Sequence, residues 1–166
     1  NELNAEIAST ILEEMGLQID WVNDGVQCVS KVKQMPAGTY DLILMDIQMP
    51  KMDGYKATEI IRKMSDKEKA EIPIIAMTAN AFEEDRRKAI SIGMNEHITK
   101  PIDAEKMKKT ITEVLKWTNG DGVSGFFRKA KKATNPVPIG LVFCKENVMK
   151  NEGIEYYPWY LSMFYQ

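Results

Sequence analysis

Hydrophobic positions along the chain change their spacing in a regular order. Ile7, Ala8, Ile11, Leu12 and Met15 recur at helical spacing, and Gly16 follows as a stop. Leu17, Ile19 and Trp21 alternate with polar neighbours as a half-buried edge strand does, and Val26 to Met35 forms a weaker helix ending before Pro36. Asp41–Met45, DLILM, is an apolar run too short for a helix; it reads as a strand covered on both faces, the habit of parallel sheets. Then come the loop IQMPKMDG, a helix near Tyr55–Met64, the buried strand Ile72–Thr78, a helix near Phe82–Ile92 stopped by Gly93, and the short strand His97–Thr99. A helix from Asp103 to about Trp117 follows, with Met107, Ile111 and Leu115 on its apolar stripe. Within the loop, Asp53 reads as a turn residue, because Asp-Gly suits a tight reversal.

Alternating strands and helices at this spacing predict a doubly wound parallel α/β sheet, whose ligand sites lie at the carboxyl ends of the strands. The residues ending the three buried strands are Asp46, Thr78 and Lys100. A carboxylate, a hydroxyl and an ammonium therefore converge on one edge. Asp46 is suited to attack an activated phosphoryl group, Lys100 to neutralise its oxygens and Thr78 to donate a hydrogen bond to them. An ordinary Asp46–Lys100 salt bridge beside a strand-end hydroxyl is the simpler alternative.

Three segments carry a family resemblance. LILMDIQMPKMDGYKA, IPIIAMTANAF and GMNEHITKPID, in that order and spacing, closely resemble the receiver domains of two-component response regulators and hybrid histidine kinases, over Asn1 to about Trp117. The resemblance implies a flavodoxin-like sheet of order 2-1-3-4-5. It implies Asp46 as phosphoacceptor, Thr78 as switch hydroxyl, Lys100 as phosphate-binding lysine and a cis Lys100–Pro101 bond. It also implies magnesium held by Asp46 and the backbone carbonyl of Gln48, and a phosphohistidine donor on a histidine kinase or histidine phosphotransfer protein. A receiver is a signalling switch rather than a turnover enzyme. The competing readings are a pseudo-receiver that only binds proteins, and a flavin-binding electron carrier, for which no phosphate-cradling loop is visible.

The sequence departs from the family pattern in two places. Receivers place a strand ending in two magnesium-binding acids just before a segment like NELNAEIA, whereas this sequence starts at Asn1, so the metal site is expected to be weak. His97, the one histidine, stands where receivers usually carry the switch tyrosine or phenylalanine; it reads as a partly buried side chain or a pH-sensitive contact.

Composition separates the tail from this core. Residues 1–118 carry 20 acids and 16 bases, residues 119–166 carry 4 and 6, and nine of the fourteen aromatics lie in 126–166. The expected organisation is a receiver domain over 1–118, a linker over 119–134 and an unassigned C-terminal piece over 135–166, the whole being a fragment shortened at both ends. The basic run FFRKAKKAT reads as a solvated linker, so no nucleic-acid contact is expected. Cys28 and Cys144 read as small apolar residues, and no apolar run approaches the ~18 residues of a membrane span. A cytoplasmic protein is expected.

Losing a central strand would forfeit about four buried side chains at roughly 1.5–3 kcal/mol each, comparable to a whole domain's stability. Ile139–Cys144, an apolar strand-like run, is the candidate to fill that slot, between the strands at Ile19 and Ile43, by a right-handed crossover. A disordered or separately packed tail is the alternative. In the filled arrangement Cys144, Lys145 and Glu146 would reach Asp46 where receivers have their acids.

Overall fold

The structure is a computed structural model that describes residues 2–79, 81–118 and 139–144. In chain order the elements are α1 (Glu2–Glu14), β1 (Leu17–Val22), α2 (Gly25–Gln34), β2 (Leu42–Asp46), α3 (Gly54–Arg62), α4 (Lys67–Ala70), β3 (Ile74–Thr78), α5 (Glu83–Ile92), β4 (Glu96–Thr99), α6 (Ala104–Thr118) and β5 (Ile139–Cys144). Local chemistry sets most boundaries. Gly16 and Gly93 end α1 and α5 in the left-handed region, at φ 74° and 107°, where a β-carbon is costly. The one element absent from the apolar pattern is α4, a single turn whose start is capped by the Asp66 carboxylate on the Glu68 and Lys69 N–H groups.

All strand pairings are parallel, in the order β1-β5-β2-β3-β4. Strand β2 shows why a continuous apolar run is required here. Leu42 and Leu44 face α1 and α6, Ile43 and Met45 face α2, α3 and α5, and all four are fully buried. The sheet is thus sandwiched between two helical layers, each with its own apolar core.

The central place is taken by β5. It runs from Leu17↔Ile139 to Val22↔Cys144 along β1 and from Leu42↔Leu141 to Met45↔Cys144 along β2. Leu141 stands opposite Ile19 and Val142 opposite Ile43, so the segment expected to complete the sheet does complete it. The result is the 2-1-3-4-5 spatial order of a flavodoxin-like fold with its first position supplied from the far end of the sequence. Strand β1 is an edge of the sheet, as expected from its sequence, and β4 is the other. The linker run FFRKAKKAT and the positions of Lys145 and Glu146 lie outside the described residues.

Candidate functional site

Parallel pairing delivers the ends of β2, β3 and β4 to one edge. Asp46 is opposite Met77 and Thr78 opposite Thr99, so Thr78 and Lys100 each sit one step beyond the neighbouring strand's last pair. Main-chain bonds then fix the edge: Ile47 N–H donates to Met77 O at 3.1 Å, and Lys100 N–H to Thr78 O at 2.7 Å. Lys100 precedes a cis bond to Pro101.

The three residues singled out from sequence meet here. Asp46 is 3% exposed and Thr78 4%, whereas Lys100 is partly open to solvent. Lys100 Nζ donates to Asp46 Oδ2, and the Gln48 backbone N–H donates to Asp46 Oδ1 at 3.1 Å. A buried carboxylate is costly unless paired, and these two donors supply the pairing. The same arrangement leaves a nucleophilic oxygen beside a cation and, one strand over, a hydroxyl. His97, on β4, is mostly buried, with Nδ1 3.1 Å from its neighbour Glu96 Oε1.

Two Asp-Gly pairs shape the loop from Ile47 to Asp53. Asp53 is not the pivot of a reversal: it caps α3, its Oδ1 accepting the Lys56 N–H at 2.8 Å. Gly54 is the first helical residue, and a β-carbon there would lie 2.9 Å from Met45 Cγ and collide with the Asp46 carbonyl. Asp24 and Gly25 repeat this device on α2. Asp24 Oδ1 accepts the Gln27 N–H at 2.8 Å, and a β-carbon on Gly25 would stand 2.6 Å from Met52 O. The signal available in the sequence was the repeated Asp-Gly pair before a helical run: a cap followed by a residue that must lack a side chain.

Asp24, 2% exposed, also receives Lys51 Nζ on its other oxygen at 2.9 Å. Burial pushes the Asp24 carboxyl up, but the Gln27 N–H, the Lys51 ammonium and the Val26 N–H outweigh it and hold the group below its ordinary value.

Magnesium takes oxygen ligands and keeps several waters. The Asp46 carboxylate is an oxygen donor of that kind, and the Gln48 backbone stands against it through its N–H. No group of three His, Cys, Asp or Glu side chains that could hold a metal occurs among the described residues. No helix among them is long and apolar enough to cross a membrane.

Residues 1–112 match the family model described as the response regulator receiver domain. The chain is 39% identical over 119 residues to the sensor protein GacS of Pseudomonas syringae pv. syringae, covering 71% of this chain and 12% of that protein. It is 36% identical over 124 residues to the signal transduction histidine-protein kinase BarA of Escherichia coli (strain K12), covering 75% and 13%. It therefore spans about an eighth of the length of these relatives. Among solved structures, the receiver domain of the sensor histidine kinase PA1611 from Pseudomonas aeruginosa PAO1, which has a magnesium ion coordinated in its active site cleft, is similar with a TM-score of 0.60 and 33% identity, covering 69% of this chain and 90% of that one. The Saccharomyces cerevisiae complex of the histidine phosphotransfer signaling protein Ypd1 with the receiver domain of the response regulator Ssk1 is similar with a TM-score of 0.60 and 30% identity, covering 68% and 81%.

Proposed function

This chain belongs to the response regulator receiver domain family of two-component signalling, and from that premise we propose that Asp46 is its phosphoacceptor. The observation that carries the reading is the buried Asp46 carboxylate at the end of β2, with Lys100 Nζ on one oxygen, the Gln48 N–H on the other, and the buried Thr78 at the end of the adjacent strand. An Asp46 oxygen attacks the phosphorus of a phosphohistidine on a histidine kinase or histidine phosphotransfer protein. The P–N bond breaks, the imidazole leaves with the electron pair, and an acyl phosphate forms. Lys100 exchanges its carboxylate contact for phosphoryl oxygens, and Thr78 donates to another. The transfer adds about −1.5 to −2 of charge at the strand edge, enough to bias nearby loops.

Magnesium, when bound, offsets the negative charge between carboxylate and phosphoryl oxygens; Asp46 and the Gln48 carbonyl would hold it. Two protein ligands are few, so we expect a millimolar or weaker affinity. The Asp46–Lys100 pair also favours a second reading, a self-paired site that stays unphosphorylated in a protein-binding module.

Radiolabelled acetyl phosphate with magnesium separates the two. Under the phosphoacceptor reading the chain takes up hydroxylamine-sensitive label, with half-saturation at millimolar magnesium or above, and Asp46→Asn takes up none. Label persisting in Asp46→Asn would move the acceptor elsewhere, and an unlabelled wild type would leave the protein-binding reading.

A further inference from the structure

The loop from Ile47 to Asp53 brings Gln48 beside Asp46, and its far end has an unusual backbone. Met52 N–H donates to Pro50 O at 2.6 Å across Lys51, whose φ is +62°. A hydrogen bond spanning two residues around a positive φ has the form of the γ-turn that is rare and strained for a residue with a side chain. Glycine would adopt it freely, yet the position holds lysine.

The side chain accounts for the lysine. Its side chain is 68% exposed, but its ammonium reaches the buried carboxylate of Asp24, 27 residues earlier. Gly25 N–H donates to Met52 O at 3.2 Å, so backbone and side chain tie the same turn to the start of α2. The other end of the loop is fixed by the Ile47 N–H on Met77 O and the Gly54 N–H on Ile47 O at 3.0 Å. Gln48 lies between these two anchorages, only three residues from Lys51. The α2 capping interaction uses Asp24 Oδ1 and the loop uses Oδ2, so one carboxylate serves two elements.

We propose that Asp24 and Lys51 are positioning residues that hold the turn in its left-handed form and thereby set the Gln48 backbone against Asp46. The inference rests on the phosphoacceptor reading of Asp46 for its functional meaning. Its structural content can be tested without that reading.

The full chain is compared with Asp24→Asn, Lys51→Met and Lys51→Arg. Asparagine caps a helix as well as aspartate does, so Asp24→Asn keeps the α2 cap and removes only the charge that Lys51 answers. Lys51→Met keeps the apolar stem, and Lys51→Arg restores the cation. Amide hydrogen exchange at Gln48 and Met52, followed by NMR, should quicken about tenfold in Asp24→Asn and Lys51→Met, return towards wild type in Lys51→Arg, and stay unchanged at Leu44 within β2. The magnesium concentration giving half-maximal labelling by acetyl phosphate should rise about tenfold in the same two variants, the lower end of what outer partners of a metal site contribute. Exchange at Gln48 within about a factor of two of wild type in both variants would overturn the proposal. If wild type takes up no label, the phosphoacceptor reading falls, and the exchange comparison alone still decides whether Asp24 and Lys51 hold the loop.

Discussion

Arg62 offers the sharpest stability test, because one side chain joins four segments at the edge of the sheet opposite the site. Its Nε donates to Gly93 O at 2.8 Å, its Nη1 to Ala70 O at 2.7 Å and Ile72 O at 2.8 Å, and its Nη2 to Asn95 Oδ1 at 3.1 Å. These acceptors close the end of α5, the end of α4 and the entries to β3 and β4. Burial pulls the guanidinium pKa down, with Glu71 acting against it, but an arginine stays charged. Arg62→Met keeps an apolar stem of similar length and removes every donor. Asn95 Oδ1 retains the Ile74 N–H at 2.9 Å, so the loss falls mainly on three main-chain carbonyls. At about 1 kcal/mol of net stability for each such bond, the variant should lose about 3 kcal/mol. With about 4 °C per kcal/mol for a domain of this size, Tm should fall by about 12 °C. A lysine side chain has no fork to span the acceptors, so Arg62→Lys should recover no more than about 1 kcal/mol. Urea unfolding followed by circular dichroism measures both. A loss below about 1 kcal/mol in Arg62→Met would show that water replaces the guanidinium and that the reasoning is wrong.

Two further outcomes are expected. Because Asp24 titrates below its ordinary value of 3.8 in the folded chain, its charge stabilises the fold above that pH, and the contribution is lost as pH falls through the lowered folded value. The stability gap between wild type and Asp24→Asn, measured by urea unfolding, should therefore be full at neutral pH and close as the solution is acidified below 3.8; a gap independent of pH would contradict the assignment. Gly54→Ala forces a β-carbon against the Asp46 carbonyl, which is backbone and cannot swing aside. It should cost about 1–3 kcal/mol and displace the Asp46 and Gln48 amide resonances, whereas unchanged resonances would mean that α3 simply shifts outward.

The parts of the fold legible in the sequence were those written in apolar spacing. DLILM and the run ending at Thr78 declared buried strands because every residue must be apolar when both faces are covered, and the strand ends then located Asp46, Thr78 and Lys100. The place of Ile139–Cys144 followed from the cost of an unfilled slot and the handedness of the crossover. Helix α4 escaped because a single capped turn has no periodicity to read. The roles of Asp24 and Lys51 escaped for another reason: a charge pair across 27 residues leaves no local pattern, and only the approach of α2 to the loop creates it. Asp53 was misread because Asp-Gly serves equally as a reversal and as a cap followed by a tight helical start, and the choice depends on what packs above the glycine.

The position of β5 bears on how the sheet is assembled. Among the described residues β1 is hydrogen-bonded to no strand but β5, and Leu17 meets Ile139 across 122 residues of sequence. The pairing of β1 with the rest of the sheet therefore waits on a segment far away along the chain, whereas α2 and β2 follow β1 at once. While β5 is out of its slot, the facing edges of β1 and β2 present unpaired backbone groups, the surfaces through which chains join one another. Contacts so distant in sequence also slow the search for the native pairing, since the closure of a long loop precedes any gain from it. Docking of residues 139–144 is thus the step that closes the sheet, and refolding of the chain should show aggregation that rises with concentration and is relieved once that segment has docked.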